Sequence, residues 1–292
     1  MGAPVFPAIT TPFVNGEFSA ERLRENLARY GRLPLAGFLV LGSTGEAVLL
    51  DAAERGRVLE AARAAIPGPG TLIAGLAAES TAEAIRQARE AARRGADLLL
   101  LGTPHYYGEQ MTAAALTAHF IRVADASPRP ILLYNVPKFT GLIVPPEVVA
   151  AASAHPNVAG MKDSGGDLAY LRRVLSAAGP GFRVYCGASA ILHQALEAGA
   201  AGAILAAADA FPEPFLDVAS GNARAQESIA AAARLVAAQH GIAGIKAAMD
   251  HRGLYGGPVR GPLVDADAPV RERIACIVEN LVRDGVLPGR EI

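Results

Sequence analysis

The chain has 292 residues, of which 51% are hydrophobic and 19% charged, with a formal net charge of −1. Such a composition excludes a disordered chain and gives no electrostatic case for nucleic acid or an anionic membrane, so a small molecule is the expected partner. Cys186 and Cys276 stand apart without CxxC spacing, against a disulfide framework and a zinc site, and no apolar run approaches the roughly 18 residues that span a bilayer.

In chain order, apolar runs at 5–9, 37–41, 71–74, 97–100, 131–134, 158–162, 183–186 and 202–205 predict eight strands. Alanine-rich segments with helical spacing alternate with them, at 20–32, 51–65, 81–94, 111–126, 145–155, 168–178 and 189–198. Ser80-Thr81-Ala82-Glu83 has a capping-box pattern at one helix start. Repeated strand-helix units with right-handed crossovers predict an α/β chain closed as a (β/α)₈ TIM barrel over residues 1–221. The competing open doubly wound sheet calls for a phosphate-binding glycine pattern after its first strand, and residues 10–16 carry none. From residue 222 to 292 the alternation gives way to a C-terminal extension with helices at 223–239, 244–251 and 268–284. The strand-like start with no basic leader, together with the unpaired cysteines, predicts a cytoplasmic protein.

Catalytic groups of such barrels sit where strands end. Lys162 ends the sixth predicted strand and is one of only three lysines, in a chain that otherwise uses Arg for positive charge. Arg cannot lose its proton, whereas a desolvated lysine amine can serve as a nucleophile towards ketones. The alternative is a rim charge snorkelling to water. Tyr134 ends the strand one unit earlier, so if both point inward it lies on the strand next to Lys162, neighbouring strands being about 4.8 Å apart, and its phenol is placed to move a proton; simple amphipathic packing is the other reading. Gly42-Ser43-Thr44-Gly45-Glu46 follows the second strand, and its small residues allow amides and two hydroxyls to approach a carboxylate; it can equally be a tight turn that caps the next helix. Lys138 reads as a loop charge and Lys246 as structural. The six histidines show no ligand spacing for a metal, and no Gly-x-Ser-x-Gly elbow is present.

Taken together, GSTGE at 42–46, TPHYYG at 103–108, YNVPKFTG at 134–141 and GMKDSGGD at 160–167 resemble the dihydrodipicolinate synthase / N-acetylneuraminate lyase family of class I aldolases, over essentially the whole chain. Within it, residues 111–167 and 241–263 look most like the 4-hydroxy-2-oxoglutarate aldolase branch, whose tail also carries an element like Tyr255-Gly256-Gly257-Pro258. The resemblance implies a homotetramer, a dimer of dimers, that binds pyruvate covalently and needs no metal or other cofactor. It implies Lys162 as Schiff-base nucleophile, Tyr134 as proton shuttle, and Ser43 and Thr44 as the hydroxyls that hold the pyruvyl carboxylate and join the relay. Tyr106 or Tyr107 matches a tyrosine donated across a dimer interface, and Ser164, Gly187 and Ile204 fall at pocket-lining positions.

Phe139 stands where synthase members carry an Arg that grips a second carboxylate, which disfavours dihydrodipicolinate synthesis here. Thr44 and Asn135 also depart from the Asn and Ser frequent in the hydroxyoxoglutarate aldolases. The expected activity is cleavage of a 4-hydroxy-2-oxo acid, such as 4-hydroxy-2-oxoglutarate or a 2-keto-3-deoxy sugar acid, to pyruvate and an aldehyde. Condensation of pyruvate with aspartate semialdehyde is the second expectation, and a non-catalytic keto-acid binding protein is the third.

Overall fold

The computed structural model describes residues 2–66 and 68–289; Met1, Pro67 and residues 290–292, which the predicted domain division covers, lie outside the described residues. The eight apolar runs form eight parallel strands: β1 (Val5–Pro7), β2 (Gly37–Val40), β3 (Thr71–Leu76), β4 (Leu98–Gly102), β5 (Ile131–Asn135), β6 (Val158–Asp163), β7 (Arg183–Cys186) and β8 (Gly202–Leu205). From β2 to β8 each strand pairs with the next in the chain, and β8 pairs with β1. Between β1 and β2 the ring is closed by a single bridge, Ala8 to Leu39, where Ile9 N–H donates to the Leu39 carbonyl at 2.8 Å. The predicted barrel is therefore observed, with strand ends displaced by at most two residues.

The strand runs are apolar throughout because both faces are buried, as parallel sheets covered by helices require. One face packs under the helices, for example Leu99, Leu133, Met161 and Val184. The other fills the barrel interior with Phe6, Leu39, Ile73, Leu100, Leu132, Tyr134, Tyr185 and Ile204. Strand β6 is the exception, since it offers the interior Gly160 and Lys162 in place of large apolar side chains, in register with Leu132 and Tyr134. That leaves the end of β6 chemically unlike its seven neighbours.

The helices α1 (Ala20–Tyr30), α2 (Ala52–Ala65), α3 (Thr81–Arg93), α4 (Ala113–Ala126), α5 (Pro146–Ser153), α6 (Leu168–Ala177), α7 (Leu192–Glu197) and α8 (Pro212–Ala219) surround the strands. A complete capping box forms at α2, where the Asp51 side chain accepts from Glu54 N–H and the Glu54 carboxylate accepts from Asp51 N–H. At α3 only half of the predicted box forms: Ser80 accepts from Glu83 N–H, while the Glu83 carboxylate turns to Arg86 and Gln87. A charged partner outcompetes a backbone amide there. The predicted helix at 189–198 is shorter, α7 being preceded by a 3₁₀ turn at Ser189–Ile191. Helix α8 follows β8 without having been anticipated, because Pro212 and Pro214 mask its helical pattern although proline is tolerated in a first turn.

The extension consists of α9 (Ala223–Ala233), α10 (Gly241–His251) and α11 (Ala268–Arg283). The helix predicted at 223–239 changes to π geometry over Arg234–Gln239, and α10 begins three residues before the predicted 244. Buried Arg252 ties α10 to α8, with both guanidinium ends on Glu213 at 2.9 Å and a further bond to the Ala210 carbonyl at 2.7 Å. Residues 10–16, read only as lacking a phosphate loop, open a hairpin, Phe13–Val14 with Glu17–Phe18, whose turn uses left-handed Asn15 and Gly16. No helix among the described residues is long and apolar enough to cross a membrane.

Candidate active site

Strand register brings Tyr134 directly opposite Lys162, and Asn135 opposite Asp163. Both Tyr134 and Lys162 therefore point into the barrel, and the Lys162 Nζ lies 4.7 Å from the centre of the Tyr134 ring. Lys162 is 4% exposed, which rules out a snorkelling rim charge. Among the described residues its amine makes no ion pair and no hydrogen bond, whereas Lys246 bonds two carbonyls and pairs with Glu46, and Lys138 bonds the Ala238 carbonyl at the surface. An amine without an anion or acceptor is available for chemistry.

Asn135 and Asp163 fix the two strand ends from the outer face. The Asn135 amide donates to Asp163 at 2.7 Å and accepts from Val144 N–H, while Gly165 N–H donates to the same Asp163 oxygen. Burial raises the Asp163 pKa above the usual carboxylate range, opposed by these bonds. Sequence reasoning did not assign this pair, although each member directly follows a residue it did assign.

The Ser43-Thr44 turn faces the same strand ends. Ser43 Oγ lies 3.5 Å from the Tyr134 hydroxyl, and Thr44 is buried. The turn is bracketed by Leu41 and Glu46, both non-glycine residues in the left-handed region at φ 57° and 55°, a cost of about 1–3 kcal/mol each that the surroundings must overcome. Gly45 is tightly enclosed, since a Cβ there would sit 3.0 Å from Leu41 N and 3.1 Å from the Ile9 carbonyl, and the backbone would have to give by a few tenths of an ångström.

On the far side of Lys162, Ser164 and Gly187 close in. A Cβ on Gly187 would lie 2.2 Å from Ser164 Oγ and 3.0 Å from Lys162 Cε. Ile204 lies fully buried in the barrel interior with Tyr134 and Tyr185. A cavity of about 260 Å³ opens beside these groups, with Ser43, Tyr134 and Phe139 in its wall. Lys162, Thr44, Ser164, Gly187 and Ile204 do not line it; the Tyr134 side chain is common to the cavity and the lysine. Thr103, in the wall too, has a buried hydroxyl without a hydrogen-bond partner among the described residues, a feature of the TPHYYG stretch that sequence reasoning passed over in favour of its tyrosines.

Tyr106 and Tyr107 are 78% and 65% exposed and stack edge to face on each other, 5.0 Å between ring centres, outside the cavity wall. Their loop is anchored by Glu79, which accepts from the His105 and Tyr106 amides at 2.8 and 2.9 Å. No group of three His, Cys, Asp or Glu side chains among the described residues is arranged to hold a metal ion. The assembled chemistry is a buried amine, a phenol against it, and hydroxyls at a tight turn.

Comparison with known proteins agrees across the chain. The Dihydrodipicolinate synthetase family profile matches residues 2–281. A probable mitochondrial 4-hydroxy-2-oxoglutarate aldolase of Emericella nidulans is 33% identical over 293 aligned residues, covering 94% of each chain. A 4-hydroxy-tetrahydrodipicolinate synthase of Methanothrix thermoacetophila is 34% identical, covering 89% of this chain and 90% of its own. Among solved structures, the dihydrodipicolinate synthase of Thermotoga maritima superposes with a TM-score of 0.90 at 28% identity, covering 98% of this chain and all of that one. A prophage protein of the same family from E. coli K12, solved in complex with pyruvate, superposes with a TM-score of 0.88 at 25% identity, covering 96% and 98%. On fold, strand-end motifs and these likenesses, the chain belongs to the dihydrodipicolinate synthetase family of class I aldolases and lyases.

Proposed function

We propose that the protein cleaves a 4-hydroxy-2-oxo acid to pyruvate and an aldehyde through a Schiff base on Lys162. The observation that carries this reading is the buried amine of Lys162, which lies against the ring of Tyr134 and has no hydrogen bond or ion pair among the described residues. The amine adds to the C2 ketone and water leaves, giving an iminium that can accept electrons. Tyr134, left as the phenolate after giving its proton to the departing water, takes the C4 hydroxyl proton while Ser43 Oγ–H donates a hydrogen bond to its oxygen, the C3–C4 bond breaks, and its electron pair moves into the iminium. The aldehyde departs, the resulting enamine is protonated at C3, and water releases pyruvate from Lys162. Ser43 and Thr44 hold the C1 carboxylate, with Ser164, Gly187 and Ile204 shaping the space around the pyruvyl unit.

Phe139 supports the lyase reading over the synthase one. It stands in the cavity wall, 57% exposed, and presents a ring where an Arg would meet the carboxylate of aspartate semialdehyde. A panel of 2-oxo acids tests this: 4-hydroxy-2-oxoglutarate or a 2-keto-3-deoxy sugar acid is expected to release pyruvate, and condensation with aspartate semialdehyde to run at least about tenfold less efficiently. Efficient condensation with the semialdehyde overturns the preference.

Gly187→Ala is expected to raise the pyruvate concentration for half-maximal adduct formation by about tenfold or more, because the new methyl meets Ser164 Oγ and Lys162 Cε. Borohydride trapping over a pyruvate titration reads the shift, and an unchanged midpoint removes Gly187 from the site. We also read the protein as a homotetramer in which a second copy covers the exposed Tyr106 and Tyr107 rings, together with Val48 at 78% exposure. The free thiols, Cys186 buried and Cys276 exposed, suit a reducing compartment such as the cytoplasm.

A further inference from the structure

We propose that Lys246, in the C-terminal extension, is a positioning residue that latches the Ser43-Thr44 turn in its carboxylate-binding shape through Glu46; this rests on the function proposed above. Lys246 is 1% exposed and its Nζ meets Glu46 Oε1 at 2.7 Å, the Thr11 carbonyl at 2.8 Å and the Pro258 carbonyl at 2.7 Å. The two carbonyls accept hydrogen bonds from the ammonium, and Glu46 Oε1 stands against it as an ion pair. The other Glu46 oxygen accepts from Arg260 N–H at 2.7 Å, and the Arg260 guanidinium clasps Glu54 at the start of α2. The Phe13 ring of the hairpin is held between the two cations, 4.6 Å from Lys246 Nζ and 4.2 Å from Arg260 Cζ. Thr11 in turn donates its hydroxyl to the Gly45 carbonyl at 2.6 Å.

These contacts fall on the second half of the turn, at Gly45 and Glu46. Gly45 is bonded to Thr11 and Glu46 to the extension, while Ser43, two residues before Gly45, lies with its Oγ 3.5 Å from the Tyr134 hydroxyl. Glu46 sits in a left-handed conformation that a glutamate does not favour on its own, so the ion pair opposes relaxation of the backbone. Burial lowers the Lys246 pKa and the Glu46 charge acts against that shift. A buried pair with one member removed leaves an uncompensated charge, so the informative comparison is between single and double substitutions.

The test uses the full chain as Lys246→Met, Glu46→Gln and the double variant that removes both charges. In the variants that fold, the pyruvate concentration for half-maximal borohydride trapping is expected to rise about tenfold or more, while trapping at saturation and kcat for 4-hydroxy-2-oxoglutarate stay within about threefold of the parent. Amide exchange at residues 42–47 is expected to accelerate at least about tenfold, with the barrel strands unchanged. A fall in kcat with an unchanged midpoint, unchanged exchange at 42–47, or failure of all three variants to fold overturns the proposal in favour of a purely structural pair. Should the parent protein give no pyruvate adduct, the proposed function fails by itself. Exchange at 42–47 then decides the latch alone: confined acceleration supports it and no change overturns it.

Discussion

Lys162→Ala is expected to lower retro-aldol turnover by at least about 10⁴-fold, equivalent to roughly 5.5 kcal/mol of transition-state stabilisation, and to abolish pyruvate trapping altogether. The size of the effect follows from the chemistry, because without the amine no covalent electron sink forms and the C3–C4 bond has nowhere to send its electrons. Loss of fold is a weak rival explanation. Lys162 contributes no hydrogen bond or ion pair among the described residues, so its removal breaks no polar network, and thermal denaturation should register a shift of a few degrees at most. Lys138→Ala serves as the control: its amine is at the surface on the Ala238 carbonyl, and turnover should stay within about threefold. Steady-state kinetics of the three proteins on 4-hydroxy-2-oxoglutarate checks this, and a Lys162→Ala enzyme within tenfold of the parent defeats the assignment.

Tyr134→Phe is expected to reduce kcat by about 10²–10⁴-fold while leaving the adduct on Lys162 detectable after longer reduction. The substitution removes only the hydroxyl. The ring stays packed with Leu132, Tyr185 and Ile204 and continues to face the Lys162 amine, so pocket shape is retained. What is lost is the oxygen that exchanges a proton with the substrate and that Ser43 Oγ, 3.5 Å away, supports by a hydrogen bond. A separation of trapping from turnover is therefore the signature of a proton shuttle. Parallel loss of both would assign Tyr134 to packing instead.

The barrel was legible because two-sided burial writes each strand as a short continuous apolar run, and eight such runs recur with one helix between each pair. Strand-end residues were legible for the same reason, but in the sequence the shared face of Tyr134 and Lys162 is conditional, and it is the register of the two strands that places them opposite each other. The two half-readings of Lys162, rim charge or buried amine, could not be separated without burial, since the sequence around it suits either. Helix details failed where side chains have a choice of partner. Glu83 left the Ser80 box for Arg86 and Gln87, and the box that does close, Asp51 with Glu54, was not singled out.

Long-range polar partners were the least legible part of the site. Lys246 was read as structural from its place in a helix, and nothing local to it indicates that its charge ends on Glu46, two hundred residues away in the motif loop. Thr103 escaped for a different reason, because an unpartnered hydroxyl is a property of its surroundings and not of its neighbours in the chain. Tyr106 and Tyr107 were named as candidates for an interface role, and both lie exposed at the barrel rim in the single chain.

The most direct test of the Schiff-base account is borohydride reduction in the presence of pyruvate followed by mass mapping of the peptides. The account predicts a single stable pyruvyl-derived adduct on the peptide that carries Lys162, and none on those with Lys138 or Lys246. No adduct, or one on either of the other lysines, would contradict it.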